Sequence, residues 1–259
     1  MKVLVTGRDG QLARALAQHA SKDTETVAVD RPDLALRDPS TIDGAIGRHR
    51  PEIVVKAAAY TFLDQAEREP DLAFAVNRDC AGHVATAMAR ANLPVAHVST
   101  DYVFGGTMPE PYLEDDKPRP QTVYGCSKRD GEIAALGVNP RSSIIRTSWV
   151  CSPWGRNFIL TMLRLAPERD LVRVVADQNC SPTYEADLAS AILAANRRLT
   201  VTPGDTRLYG IFQVTNAGAT IWAGFTEEIF RRFAARVGPS AHVEPITTVD
   251  SPRRPIHNS

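Results

Sequence analysis

The stretch that decides the fold is Val3-Leu4-Val5-Thr6-Gly7-Arg8-Asp9-Gly10-Gln11-Leu12-Ala13. Its apolar start predicts a buried strand, its glycines predict a tight turn, and the Leu/Ala pattern that continues to Leu16 predicts a helix. Glycines at such a turn let the backbone approach a pyrophosphate, and the N-terminus of the following helix attracts its charge. The stretch therefore predicts a dinucleotide-binding unit. Because Ala13 replaces a third glycine, a purely structural turn is the alternative.

A second apolar run, residues 26–29, ends at an acidic residue. The distance of Asp30 from the glycine turn suits a carboxylate that accepts hydrogen bonds from the adenosine ribose. Arg31 and Arg8 lie close in sequence and can neutralise and bind a 2′-phosphate. We therefore predict that NADP(H) and NAD(H) both bind, with a modest preference for NADPH.

Tyr124 and Lys128 stand four positions apart in Tyr124-Gly125-Cys126-Ser127-Lys128. On a helix, residues at this spacing share one face. A lysine in that place stabilises a phenolate and orients a nucleotide ribose, so the tyrosine becomes a proton donor to a carbonyl near neutral pH. The same spacing occurs by chance in many helices. The pair indicates reductase chemistry only because a dinucleotide unit precedes it.

The rest of the first half continues the alternation of strands and helices. Residues 53–59 and 94–99 have the pattern of buried strands, and residues 70–91 that of one long helix with Leu72, Val76 and Val84 on its inner face. Ligands of open α/β sheets collect at the carboxyl ends of strands. Thr100 is therefore placed to hydrogen-bond a substrate carbonyl, and simple capping of the strand end is the alternative.

Composition excludes several other classes of protein. The chain has 259 residues, 43% of them hydrophobic, and its 30 basic residues balance 30 acidic ones. Neutrality gives no electrostatic signal for nucleic acid or an anionic membrane. The four cysteines are widely spaced, which argues against a zinc cage or a disulfide framework, and we predict no metal site. No leader pattern or membrane-spanning run is apparent, so we expect a cytoplasmic protein.

The pattern continues with a helix to about Leu136 and a strand that starts at Ser143, and it becomes looser after Trp149. We predict that residues 1–148 form the dinucleotide-binding domain and that residues 149–259 form mainly a substrate-binding lobe, with some elements returning to the sheet. The predicted elements of this lobe are helices at 158–165 and 184–198, strands at 171–175 and 208–214, and a last helix that starts from an N-cap at Thr220 and reaches Val237.

Several motifs, taken together, resemble those of extended short-chain dehydrogenase/reductases and, within that superfamily, of the dTDP-4-dehydrorhamnose reductase family. They are Gly7-x-x-Gly10-Gln11-Leu12, Ala57-Ala58-Ala59-Tyr60-Thr61, Asp64-x-Ala66-Glu67, Ser99-Thr100-Asp101-Tyr102-Val103-Phe104, Tyr124-Gly125-x-Ser127-Lys128 and Arg146-Thr147-Ser148-Trp149-Val150. The resemblance continues through Gly155-x-Asn157-Phe158, Asp177-Gln178, Pro182-Thr183 and Arg254-Pro255-x-x-Asn258-Ser259. It covers essentially the whole chain.

The resemblance implies an α/β fold, a Rossmann-type doubly wound parallel sheet with a smaller C-terminal substrate-binding lobe. It implies reduction of the C4 keto group of a dTDP-linked 6-deoxysugar, a nucleotide-sugar substrate, and it allows a homodimer. The catalytic set it implies is Thr100, Tyr124 and Lys128. Together with the patterns above, it assigns to the cofactor Gly7, Gly10, Gln11, Leu12, Asp30, Arg31, Ala59, Tyr60, Thr61, Tyr124 and Lys128. The residues assigned to the substrate are Thr100, Asp101, Tyr124, Trp149 and Asn157.

Two alternatives to this function stay open. One is another enzyme on the same scaffold, such as a reductase of a different 4-keto-6-deoxysugar, a dehydratase or an epimerase; a dehydratase usually carries Asp-Glu where Asp101-Tyr102 stands here. The other is a non-catalytic regulatory subunit that binds a dinucleotide. The chain also departs from the family pattern, with Lys56 for a usual asparagine, Cys180 for a usual glycine and Ala35 for a frequent acid. Family members commonly continue for a few dozen residues beyond the position of Ser259.

Overall fold

The centre of the computed structural model, which describes residues 1–108, 110–236, 238 and 240–251, is a six-stranded sheet. In chain order the strands are β1 (Lys2–Thr6), β2 (Glu25–Val29), β3 (Ile53–Lys56), β4 (Val95–Thr100), β5 (Ser142–Thr147), β6 (Val150–Cys151), β7 (Leu171–Val175), β8 (Asn179–Cys180), β9 (Thr183–Tyr184), β10 (Gly210–Gln213), β11 (Thr220–Ile221) and β12 (His242–Ile246). The helices are α1 (Gln11–Gln18), α2 (Pro39–His49), α3 (Leu63–Ala66), α4 (Pro70–Phe74), α5 (Cys80–Arg90), α6 (Val123–Val138), α7 (Phe158–Leu165), α8 (Glu185–Val201) and α9 (Trp222–Ala234).

The strand order of the main sheet is β2-β1-β3-β4-β5-β10, and every neighbouring pair is parallel. Strand β1 pairs with β2 on one side and β3 on the other, so the direction of winding reverses at β1. In doubly wound sheets a ligand crevice opens at the carboxyl ends of the strands at such a reversal. The predicted Rossmann-type fold is confirmed, and its crevice lies beside the glycine turn that follows β1.

Helices cover both faces of this sheet. On one face, α1 and α8 pack against the strands through residues such as Leu16, Leu188 and Ile192, all of them buried. On the other face, α2, α5 and α6 contribute Ile42, Met88 and others to a second apolar cluster. Truncating one such fully buried leucine to alanine typically costs ~2–5 kcal/mol of stability. The sheet is thus a rigid base for the loops at its carboxyl edge.

A smaller unit follows β5. Helices α7 and α9 pack on the parallel pair β7–β12 around a separate apolar cluster that includes Met162, Val174 and Phe230. Two further two-stranded sheets follow β5, one in which β6 pairs with β9 and one in which β8 pairs with β11. The described part of the chain contains no helix that is both long and apolar enough to cross a membrane.

The chain returns from this unit to the main sheet twice. Helix α8 packs against α1, and β10 pairs with β5 in a register that sets Gly210 opposite Ser143. The Ser143 hydroxyl donates to the carbonyl oxygen of Leu208 at 2.6 Å, which holds the chain at the start of β10. The division into 1–148 and 149–259 stays a prediction, but α8 and β10 belong spatially to the dinucleotide-binding half.

Two predicted helices differ from those observed. The helix predicted over residues 70–91 is interrupted by a π-helical turn, Ala75–Asp79, between α4 and α5. The extra residue in this turn rotates the inner face, so that Asn77 is buried whereas Val76 is only half-buried. Thr220 lies in β11, and Ile221 precedes the first turn of α9, so Thr220 is not the N-cap. Val237 and the Arg254–Ser259 motif lie outside the described residues.

Candidate active site

The turn after β1 has the geometry that a phosphate cradle requires. Gly7 has φ +88°, which glycine adopts without strain, and a Cβ there would lie 3.1 Å from the Cβ of Ala58 on the neighbouring strand end. The Gly10 amide donates to the Gly7 carbonyl at 3.0 Å. Gly10 is also the N-cap of α1 and provides no side-chain cap, so the first amides of α1, those of Gln11 and Leu12, are left for an anion. These residues fit a dinucleotide.

The segment after β3 forms the opposite wall of the crevice. The Ala58 amide donates to the Thr6 hydroxyl at 3.0 Å, which links the two strand ends. The Tyr60 side chain does not point along the crevice, because its hydroxyl donates to Glu69 Oε2 at 2.8 Å. The Tyr60 amide and carbonyl are also engaged, since both are hydrogen-bonded to the Asn77 side chain. Of the other predicted cofactor residues here, Ala59 is half-buried and Thr61 is exposed.

Asp30 follows the carboxyl end of β2, as predicted, and one carboxylate oxygen accepts the Arg31 amide at 2.8 Å. The Arg31 side chain is exposed. Arg8 is already engaged, since its guanidinium lies 3.8 Å from Asp33 and donates to the Ala28 carbonyl at 3.4 Å. Of the two arginines proposed for a 2′-phosphate, Arg31 is therefore the less committed.

The catalytic candidates meet at the carboxyl end of β4. Helix α6 starts there with Thr122 as N-cap, whose hydroxyl accepts the Gly125 amide at 3.0 Å. Gly125 is required, because a Cβ at this position would lie 2.3 Å from the Tyr102 carbonyl oxygen. This close approach brings the first turn of α6 against the end of β4, and the Tyr124 hydroxyl there lies close enough to the Thr100 side chain for Thr100 to lower its pKa.

Tyr124 holds its proton firmly in this site. Burial of the hydroxyl raises the pKa of Tyr124 to about 12, and the charge of Asp101 adds to this effect, whereas the hydrogen bond with Thr100 opposes it. The sequence analysis predicted that Lys128 stabilises the phenolate form of Tyr124. Lys128 is itself buried, and burial together with the nearby charge of Lys56 holds the pKa of Lys128 well below its usual value. Its ammonium group donates to the Val98 carbonyl at 2.5 Å.

Below the catalytic pair lies a group of buried charged residues that sequence reasoning did not find. Glu132 and Arg146 form an ion pair at 2.7 Å with almost no exposure to solvent, and the Ser99 hydroxyl donates to Glu132 at 2.5 Å. Their bonds join α6 to β4 and β5. Glu132 lies one turn after Lys128, and its charge partly restores the pKa of that lysine. The spacing of Lys128 and Glu132 on one helix was the available signal.

Asp101 is hydrogen-bonded to Cys180, a residue that the sequence analysis identified only as a departure from the family pattern. Its carboxylate accepts the Thr100 hydroxyl at 3.0 Å and the Cys180 thiol at 3.4 Å. Burial raises the pKa of Asp101 to about 6, and these two hydrogen bonds limit the rise. Asp101 thus lies beside the proposed proton donor and changes charge close to neutral pH.

Trp149 forms an aromatic stack. It has φ +42°, and its ring lies 3.3 Å from that of Trp222 at an angle of 13°. Phe158 packs on Trp222 at 4.2 Å, and the Trp222 indole donates to Gln178 at 3.2 Å. Trp149 is thus one layer of an aromatic wall built by the connection between β5 and β6, by α7 and by α9. Trp222 was missed, because no local motif connects it with Trp149.

Asn157 and Gln11 connect the two parts of the molecule. Asn157 is the N-cap of α7, where its Oδ1 accepts the Leu160 amide at 3.0 Å, and its Nδ2 donates to Gln11 Oε1 at 3.0 Å. The same Gln11 oxygen accepts the Ser152 hydroxyl at 2.6 Å. Both predicted residues are therefore engaged with each other, and substrate binding by Asn157 stays a prediction. The structure ties the phosphate cradle to the loop before α7.

Comparisons with known proteins agree with this geometry. A family model, the RmlD substrate binding domain, matches residues 1–257. The dTDP-4-dehydrorhamnose reductase of Sinorhizobium fredii is 42% identical over 261 residues, covering 100% of this chain and 88% of that protein. That of Aggregatibacter actinomycetemcomitans is 39% identical and covers 99% and 89%. The crystal structure of a dTDP-4-dehydrorhamnose reductase from Bacillus anthracis in complex with NADP is 35% identical, covers 98% of this chain and 86% of its own, and superposes with a TM-score of 0.89.

Proposed function

Because this chain belongs to the RmlD substrate binding domain family, we propose that it reduces the C4 keto group of dTDP-4-dehydro-L-rhamnose to dTDP-L-rhamnose. The protein is an oxidoreductase, and its cofactor is NADPH, with NADH as a second donor. The bound reduced nicotinamide supplies the hydride.

One observation supports this function above the others, namely that the Tyr124 and Thr100 side chains lie next to each other at the carboxyl end of β4. Both lie on the same edge of the parallel sheet as the glycine turn after β1. A carbonyl bound between the two hydroxyl groups can accept a hydrogen bond from Thr100 and a proton from Tyr124 as negative charge develops on its oxygen. Reduction of a carbonyl to an alcohol requires such a proton in addition to the hydride.

The other residues support this proton transfer. With its pKa raised to about 12, Tyr124 is fully protonated before the reaction and can act as an acid. Lys128, whose side chain donates to the Val98 carbonyl, lies one helical turn further along α6 and would orient a ribose. We propose that the amides of Gln11 and Leu12 bind the cofactor phosphates and that Asp30 binds the ribose. Trp149 would offer the deoxysugar a flat apolar surface.

The direct test follows NADPH absorbance with purified protein and dTDP-4-dehydro-L-rhamnose, and identifies the product. We expect formation of dTDP-L-rhamnose. If the protein binds NADPH tightly but yields neither dTDP-L-rhamnose nor its C4 epimer, the reductase function is wrong. The result would then favour the alternative, a non-catalytic regulatory subunit that binds a dinucleotide. Turnover of other 4-keto-6-deoxysugar nucleotides with higher kcat/KM would instead assign a different sugar.

The same assay tests the cofactor. We expect both NADPH and NADH to support turnover, with a modestly lower KM for NADPH, because exposed Arg31 offsets the repulsion between Asp30 and a 2′-phosphate. Arg31→Ala should reduce this preference without changing kcat for NADH. Dual use is wrong if one cofactor fails at every concentration. The homodimer and the cytoplasmic location stay predictions, and light scattering would measure the first.

A further inference from the structure

Cys180 is a half-buried residue of β8 whose thiol reaches the site of the proposed chemistry. The thiol donates to Asp101 Oδ2 at 3.4 Å, and the other carboxylate oxygen, Oδ1, accepts the Thr100 hydroxyl at 3.0 Å. Each oxygen of Asp101 thus accepts one side-chain hydrogen bond. The carboxylate connects the thiol to the hydroxyl group that lies beside Tyr124.

Strand β8 is held by the two segments that carry the tryptophans of the aromatic wall. In its antiparallel pairing with β11, Cys180 lies opposite Thr220, two residues before Trp222. The buried Ser148 hydroxyl, at the start of the connection between β5 and β6, donates to the Ser181 carbonyl at 2.7 Å. That connection carries the other tryptophan of the wall. The position of the thiol is therefore tied to that of the wall.

The thiol remains a hydrogen-bond donor at neutral pH. Burial, together with the charge of Asp101, raises the pKa of Cys180 to about 12, so the thiol is neutral and does not repel the carboxylate. Because an ionised acceptor binds a donor more strongly than a neutral one, this bond favours the ionised form of Asp101. That form also accepts the Thr100 hydrogen bond more strongly.

We propose that Cys180 is a positioning residue, whose thiol fixes the Asp101 carboxylate so that the carboxylate orients the Thr100 hydroxyl toward the substrate carbonyl. This inference rests on the proposed reductase function. The last side-chain torsion of an aspartate has broad energy wells, so a carboxylate held by one oxygen alone rotates readily. A carboxylate held by both oxygens has one orientation, and the hydroxyl bonded to it then has one as well.

The first test compares Cys180→Ala, which removes the donor, with Cys126→Ala as a matched control. Cys126 is also half-buried, and its thiol donates to the Pro120 carbonyl at 3.9 Å. We expect kcat of Cys180→Ala to fall by about threefold to tenfold, the range of one hydrogen bond, with the sugar KM and the NADPH Kd within about twofold. An unchanged kcat in Cys180→Ala, or the same fall in Cys126→Ala, would overturn the proposal.

Cys180→Ser keeps a donor at nearly the same place. We expect its kcat to stay within about twofold of the wild-type value. A fall as large as that of Cys180→Ala would show that the volume of the side chain matters and not its hydrogen bond, which would also overturn the proposal.

A double variant tests whether Cys180 acts through Asp101. If the thiol works only by holding the carboxylate, Cys180→Ala should not lower kcat further in an Asp101→Ala background. A further fall by the same factor as in the wild-type background would show that the two residues act independently, and the proposal would fail.

The pH dependence of stability gives a measurement that needs no sugar. Without the thiol, folded Asp101 holds its proton more strongly, so urea unfolding should show a larger destabilisation of Cys180→Ala at pH 8 than at pH 4. Cys180 and Tyr124 of α6, which also face this carboxylate, keep their protons over that range. Cys126→Ala should be destabilised equally at both pH values.

An equal destabilisation of Cys180→Ala at pH 4 and pH 8 would show that the thiol does not hold the ionised carboxylate, and the proposal would fail. This outcome differs from failure of the proposed function. In that case the wild-type protein itself would not reduce the sugar, while the unfolding measurements would still report on the bond between Cys180 and Asp101.

Discussion

The phosphate cradle after β1 and the aromatic wall at Trp149 both follow the carboxyl end of a sheet strand, but they are built in different ways. The cradle consists of backbone groups whose geometry depends on neighbours in sequence, above all Gly7 with its positive φ. The wall depends on Trp149 meeting Trp222, which belongs to another part of the chain. A site made of backbone can be found from a short motif, whereas a site made of stacked side chains cannot.

The largest expected effect concerns the chemical step, which neither the phosphate cradle nor the aromatic wall performs. Tyr124→Phe removes the proposed proton donor and leaves the cradle and the wall intact. We expect kcat to fall by on the order of 10²–10⁴-fold, with the Kd for NADPH and the KM for the sugar nearly unchanged. Steady-state kinetics and a cofactor titration measure these values. Near-normal turnover would remove Tyr124 from the mechanism.

Trp149→Ala tests whether the wall serves the substrate alone. Loss of an aromatic contact of about 0.5–1.5 kcal/mol, plus the buried area it covers, should reduce kcat/KM for the sugar about tenfold. Cofactor affinity should not change, because the cradle is made elsewhere. Trp222→Ala should produce a similar loss, since Trp222 supports the ring of Trp149. A rise in the Kd for NADPH in either variant would contradict this separation.

Gln11→Ala tests the connection between the two regions. The Gln11 side chain accepts from Ser152 and Asn157, and each such bond contributes about 0.5–1.5 kcal/mol net. We expect the KM for the sugar to rise by roughly fivefold, although Gln11 was assigned to the cofactor. Gln18→Ala, an exposed change on the same helix, is the control. An unchanged sugar KM in Gln11→Ala would show that the connection does not matter for function.

The smallest effect concerns pH. The pKa of Asp101 is raised from 3.8 to about 6, so the folded protein retains this proton more strongly than the unfolded chain. Stability due to this group is therefore greatest below pH 4 and decreases as pH rises toward 6. Asp101→Asn should gain stability relative to wild type across that window. In the wild-type protein kcat/KM should decrease below pH 6, because a protonated Asp101 accepts the Thr100 hydrogen bond more weakly. Asp101→Asn should not show this decrease. Parallel profiles in both proteins would exclude Asp101 as the titrating group.

The sequence predicted the parallel sheet, the glycine turn and the position of Thr100 at the end of a strand, because each follows from local pattern. The grouping of Thr100 with Tyr124 and Lys128 came from the family resemblance. The sequence did not predict the π-helical turn, because the apolar residues Leu72, Val76 and Val84 also fit the inner face of one uninterrupted helix. The buried charges around Lys128 were also missed. Lys56 and Arg146 come from two different strands, β3 and β5, and only the pairing of strands in the sheet brings them near one helix.

The pairing of β10 with β5 has a consequence for how the protein is made. During synthesis, β5 and its neighbours emerge well before residues 210–213. Until then the edge of β5 lacks its partner strand β10, and the Ser143 hydroxyl lacks the Leu208 carbonyl. Exposed strand edges invite pairing with other chains. A fragment that ends at residue 148 should therefore aggregate even though it contains the complete cradle, and the nascent chain is most vulnerable in the interval before its sixth strand leaves the ribosome.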